Sequence, residues 1–414
     1  MTLRVYLDSS DYSTLSKSHL DQTTAAIRDR LIAWAESGEV EFRYSGAHIS
    51  EMSPLKPQYV DAAKTRGELL VTLCGRKALI AVDELMRLEI SAVAHDSGPP
   101  ANVYSDTGDW FPAIKDFISP VSVVETVKKE FDAITKGHGM NRAQRRKGKK
   151  NFVKGNLTAE AKQHLMSGKA GGLKEILSAY PMREQDARVL HNLVIGTATA
   201  KEAEEAFLNS LRDPTWMIGW FEQHSEKLSP VIQWARGPAE AMSKSLMDVA
   251  EKAVQLRELE RKIGIGQSVS RGFDQEAKQQ LRLNLFVNTV RRVADLMGVS
   301  LSNNSLEENH LSKNAAGLSV CVTSAVDSMW NSLSAVPRKP KDSDFVDVMH
   351  ALYAPYVDVF RADGYMAPII EKASKPYGTK IVGKLADLVG AIEMALKEKG
   401  QARKPSPASA NFKK

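Results

Sequence analysis

Two cysteines in 414 residues, Cys74 and Cys321, are too few and too far apart for a disulfide framework or a zinc cluster. Their apolar surroundings predict buried free thiols. Long apolar runs are missing too, since none approaches the ~20 residues that a membrane span needs. No basic-then-greasy leader opens the chain, which enters a short strand-like segment at once, so a cytoplasmic protein is expected. No internal repeat period is present. Net charge is scarce as well: 56 Lys and Arg against 50 Asp and Glu leave +6. That small excess is unevenly spread, because residues 133–159 hold eight Lys or Arg and no acid.

What is there is an ordinary globular composition. With 43% hydrophobic residues the chain can bury a sizeable core, and its length suits two or three domains. Leu3, Val5 and Leu7 alternate with Arg4 and Tyr6 as in a strand, and Asp8-Ser9-Ser10-Asp11 then offers turn and N-cap chemistry. A helix is expected over Thr23–Glu36, ended by Ser37-Gly38, and a strand over Val40–Tyr44. Ser45-Gly46 opens a helix that places Glu51 about one turn beyond the strand end, before Pro54 and Pro57 interrupt. A longer helix over Tyr59–Leu73 and an apolar segment at Leu79–Val82 follow. This alternation predicts an α/β domain.

The middle differs. Helical periodicity dominates from Val124 to Trp330, with Met242–Ile263 and Asp274–Met297 as long amphipathic helices. After Lys341 the α/β pattern returns, with a helix over Phe345–Tyr353, short strands at Val357–Phe360 and Lys380–Val382, and a last helix over Ala386–Lys397. The tail, residues 399–414, carries Pro405, Pro407 and several Lys and is expected to be disordered.

Four acids fall at element ends: Asp8 after a strand, Glu51 early in a helix, Asp344 at a helix start and Asp363 just beyond another strand. In open parallel sheets, ligands gather outside the carboxyl ends of the strands. Four crowded carboxylates repel unless a cation neutralises them, and hard oxygen donors suit Mg²⁺ or Mn²⁺. Each acid also has a plain reading. Asp8 and Asp344 suit helix N-caps, Glu51 a solvated helix face, and Asp363-Gly364 a turn. Asp11, Asp83 and Glu84 are substitutes for Glu51. Asp347 and His350 follow Asp344 at i+3 and i+6, so Asp347 shares its helix face. Asp347 suits support or metal binding, and His350 packing or phosphate contact.

In order and in setting, Asp8, Glu51, Asp344 and Asp363 resemble the four acids of the PIN-like nuclease domain. The resemblance covers residues 1–120 and 335–398, and leaves 121–334 as a large all-α insertion. It implies a three-layer α/β fold with a central, mostly parallel sheet built from both chain ends. It further implies hydrolysis of a phosphodiester, RNA before DNA, by water activated on Mg²⁺ or Mn²⁺ held by Asp8, Glu51, Asp344 and Asp363, with Asp347 and His350 as auxiliaries. A bacterial toxin, defence or RNA-processing role would suit it.

The basic segment, with Arg142, Arg145, Arg146, Lys147, Lys149 and Lys150, is a candidate for contact with a phosphate backbone, or a solvated loop. Trp216, Trp220 and Trp234 keep apolar company and read as core. The helical middle is suited to clamping substrate, to dimerisation or to binding a regulator. Two other readings stand beside the nuclease: a PIN-like scaffold that has lost activity and binds nucleic acid or protein, and a phosphotransferase with Asp8 as nucleophile. The latter expects an acid two residues on, where this chain has Ser10.

Overall fold

The computed structural model describes residues 2–53, 57–111, 182–195, 198–223, 267–331 and 342–402, with a few residues between them (152–153, 156–157, 255, 259 and 262–263). Strand β1 (Leu3–Tyr6) leads into helix α1 (Ser9–Leu15), which starts one residue after Asp8. Helix α2 (Gln22–Ser37) follows, capped at its start by Asp21, whose Oδ1 accepts the Thr24 N–H at 2.9 Å. Gly38 ends it at φ 71°, a left-handed conformation that glycine adopts without strain. The chain then turns into β2 (Val40–Arg43), α3 (Gly46–Met52), α4 (Val60–Cys74), β3 (Ala78–Leu79), α5 (Val82–His95) and β4 (Tyr104–Ser105).

A two-stranded hairpin, β5 (Phe152–Val153) and β6 (Asn156–Leu157), lies within the stretch expected to be wholly helical. Next come α6 (Glu184–Ile195), α7 (Ala200–Leu211), α8 (Pro214–Gln223), α9 (Gln267–Met297), α10 (Glu308–Asn314) and α11 (Ala316–Asn331). The C-terminal part supplies α12 (Asp342–Ala351), β7 (Val359–Arg361), α13 (Ala367–Ser374), β8 (Lys380–Val382) and α14 (Leu385–Ala402). Helix α14 continues past Lys397 into the first residues of the expected tail. The rest of that tail, the helix expected at Met242–Ile263 apart from a few residues, and the basic segment with Arg142, Arg145, Arg146, Lys147, Lys149 and Lys150 lie outside the described residues.

Four strands form one all-parallel sheet in the order β2-β1-β7-β8, so the fold is α/β. Tyr6 pairs with Phe360 across the central β1–β7 ladder, joining chain segments more than 350 residues apart. Leu3, Val5, Leu7, Val40, Phe42, Val359 and Val382 face one apolar cluster, while Tyr6 and Phe360 face another, as the period of two requires. The helical middle is packed into both. Phe207, Leu211, Met217 and Ile218 join the first cluster, and Phe286, Val290, Leu318 and Cys321 the second. Trp216 packs partly buried against the first cluster. Cys74 and Cys321 are buried free thiols.

One buried acid organises the second cluster. Glu89 of α5 is fully buried and accepts hydrogen bonds from the backbone N–H groups of Gly317 (2.5 Å) and Leu318 (2.9 Å) and from the Tyr356 hydroxyl. It thereby satisfies donors that the first turn of α11 leaves without intrahelical partners. Burial pushes its carboxyl up to about 7, against the hydrogen bonds that pull it down. Gly317 is required by the same close approach: a Cβ there would lie 2.5 Å from the Leu352 carbonyl oxygen.

Candidate active site

The sheet order creates a switch point. From β1 the chain moves to β2 on one side, whereas β7 and β8 lie on the other, so the connections diverge outside the carboxyl ends of β1 and β7. A crevice at such a point is where open parallel sheets bind ligands. Asp8 lies two residues beyond β1 and Asp363 two residues beyond β7. Two short runs, each apolar enough to form a central strand and each followed by an acid, therefore meet there.

Asp8 is 9% exposed and accepts the Ser10 hydroxyl at 2.5 Å, while its own N–H donates to Asp11 Oδ2 at 3.2 Å. Asp11 is paired in turn with Arg361 of β7 at 3.2 Å. Burial raises the Asp11 carboxyl to about 7, more than the Arg361 charge lowers it. Asp363 Oδ1 accepts the N–H groups of Tyr365 (2.9 Å) and Met366 (2.6 Å), so the turn into α13 holds its carboxylate in place. Asp344 is buried in the first turn of α12, one turn ahead of Asp347.

Asp347 lies at the electrostatic centre of the group. Burial pushes its carboxyl up to about 8, and the charges of Asp363, Asp8 and Glu51 push the same way while His350 opposes them. Asp8, Glu51, His350 and Asp363 thus lie within electrostatic reach of Asp347, with Asp344 on the same helix. Of the substitutes for Glu51, Asp11 is engaged by Arg361 and Glu84 pairs with Arg87 at 2.8 Å on the surface of α5.

His350 is buried, and its Nε2 donates to Glu51 Oε2 at 2.8 Å. Burial alone would lower its pKa, but that hydrogen bond and the charges of Glu51, Asp8 and Asp347 raise it on balance. The Glu51 carboxyl is held below its ordinary range: burial works upward, but the hydrogen bond and charge of His350 outweigh it. Beside His350 lies His48, ring to ring at 4.9 Å. His48 Nδ1 accepts the Ser45 N–H (3.1 Å) and Nε2 donates to the Leu7 carbonyl (2.8 Å), which assigns a neutral tautomer. Burial and the His350 charge depress it to about 3.

The donor set consists of hard carboxylate oxygens, a chemistry that fits Mg²⁺ or Mn²⁺. As the side chains stand, however, no three His, Cys, Asp or Glu among the described residues are grouped to hold a metal ion. Four residues that partner this group or the backbone beside it, Tyr6, Ser45, His48 and Arg361, are not signalled as such in the sequence. Tyr6 looked like one more strand residue, and the others carry no spacing signal.

The chain matches no family model, no curated protein and no solved structure in comparisons with each. No helix among the described residues is long and apolar enough to cross a membrane.

Proposed function

We propose that the chain hydrolyses phosphodiester bonds of nucleic acid at a PIN-like carboxylate site with a divalent cation. The observation that carries this is the gathering of Asp8, Glu51 and Asp363 around the buried Asp347 at the switch point of a parallel sheet. Asp8, Glu51, Asp344 and Asp363 would hold Mg²⁺ or Mn²⁺. When bound, the ion lowers the pKa of a water and offsets charge on the phosphate. Asp347 keeps a proton near neutral pH and so tempers the repulsion among its neighbours. RNA is the substrate that the PIN-like resemblance favours, and the basic segment around Arg145 and Lys147 is the matching candidate for backbone contact.

The full chain, with Mg²⁺ or Mn²⁺, should cleave labelled single-stranded RNA. Asp344→Asn should lower the rate on the order of 10²-fold or more with the melting temperature little changed. Undiminished cleavage by that variant would remove Asp344 from the site. A catalytically inactive PIN-like scaffold that binds nucleic acid or protein is the second reading, and Glu51, in a short helix with its carboxylate engaged by His350, is the residue on which it turns. It predicts RNA retention without cleavage at any Mn²⁺ concentration.

A further inference from the structure

A closed circuit of hydrogen bonds lies beneath the acids. Ser45 Oγ meets Tyr6 Oη at 2.7 Å, Tyr6 Oη meets His350 Nδ1 at 2.6 Å, and His350 Nε2 meets Glu51 Oε2 at 2.8 Å. Ser45 is the N-cap residue of α3, and Glu51 lies in the same helix. The circuit therefore leaves α3, passes through β1 and α12, and returns to α3. Tyr6 and His350 are buried, and the Tyr6 ring is stacked on Phe360 with centroids 5.0 Å apart.

We propose that Tyr6 and His350 are positioning residues that set the aim of Glu51 for a divalent cation, an inference that rests on the function proposed above. Helix α3 has only seven residues and ends just before Pro54. A glutamate there has several rotatable bonds and little local structure to choose among rotamers. His350 makes that choice by donating to Oε2. Its own ring is fixed because Tyr6 engages the other nitrogen, and Tyr6 is fixed by its ring stack and by Ser45. Outer partners of this kind orient carboxylate ligands at metal sites. The same helix reaches Asp8 as well, since His48 donates to the carbonyl of Leu7, the residue before Asp8. Strand β1, α3 and α12 are thus locked together where their acids meet.

The test is a calorimetric titration of the full chain with Mn²⁺, alongside melting curves and imidazole ¹⁵N spectra. His350→Phe should weaken Mn²⁺ binding about 10–100-fold. Tyr6→Phe removes the hydrogen bonds to His350 and Ser45 and should weaken it roughly five-fold, with a melting temperature lowered by a few degrees. His350→Gln, whose amide N–H again donates to Glu51 while its carbonyl accepts from Tyr6, should restore most of the affinity. Without metal, the His350 ring signals should move in both Tyr6→Phe and Glu51→Gln. If wild type binds Mn²⁺ and Tyr6→Phe and His350→Gln bind equally well with unmoved ring signals, the positioning role is overturned even should His350→Phe fail to fold. If wild type neither binds Mn²⁺ nor cleaves RNA, the proposed function fails, and the positioning role falls with it.

Discussion

Glu89 shows how much one side chain can decide. Three donors converge on it in the interior, and two of them are backbone N–H groups that α11 cannot satisfy itself. Glu89→Ala leaves all three buried without a partner and should cost about 3 kcal/mol, read as a lower urea midpoint at unchanged slope. Glu89→Gln keeps one acceptor oxygen and should cost roughly half as much. A loss below about 1 kcal/mol for the alanine variant would mean that water replaces the carboxylate. Nothing in the sequence distinguishes this glutamate from a solvated one, because its partners lie 228 and 229 residues further on. Asp8 and Asp363 were legible for the opposite reason: each directly follows the strand that positions it.

Among elements, those with a strong local signal were readable. The Gly38 stop, the strands at Val40 and Lys380 and the helix ending in Met297 all agree with pattern and turn chemistry. Helix α1 was not readable, because Ser-Ser-Asp-Tyr-Ser-Thr looks like a turn and becomes helical by packing on α2 and α4. Helix α5 was hidden similarly behind the short apolar segment before it. Close packing also sorts the glycines. Gly317→Ala forces a Cβ within 2.5 Å of the Leu352 carbonyl and should cost about 3 kcal/mol. Gly219→Ala in α8 meets nothing within 4 Å and should stabilise by up to about 1 kcal/mol. Thermal unfolding of the pair checks this, and equal midpoints would contradict the crowding at α11.

Over the whole molecule, buried carboxylates set the response to pH. Asp11 and Glu89 are raised to about 7 and Asp347 to about 8, all above their ordinary values near 4. A carboxyl raised on folding contributes most below its unfolded pKa, and that contribution is lost as pH rises through the folded value. The metal-free protein should therefore lose stability between about pH 4 and pH 8, by at least about 2 kcal/mol, and Asp347→Asn should flatten the fall. Denaturant midpoints across that range measure it, and a midpoint that climbs from pH 5 to pH 8 would reverse the assignment. Mn²⁺ should also flatten the curve, since a cation favours the ionised carboxylates.

The pairing of β1 with β7 has a consequence in time. Asp8 and Asp363 follow paired strands, yet Asp363 is synthesised 355 positions behind Asp8. At typical elongation rates of about 5–20 residues per second, roughly 20–70 s pass before both acids exist on one chain. Until then β1 has β2 on one flank and an open edge on the other. A nascent chain still tethered to its message thus carries half a site until Asp363 has been added, and any cleaving activity begins only after that.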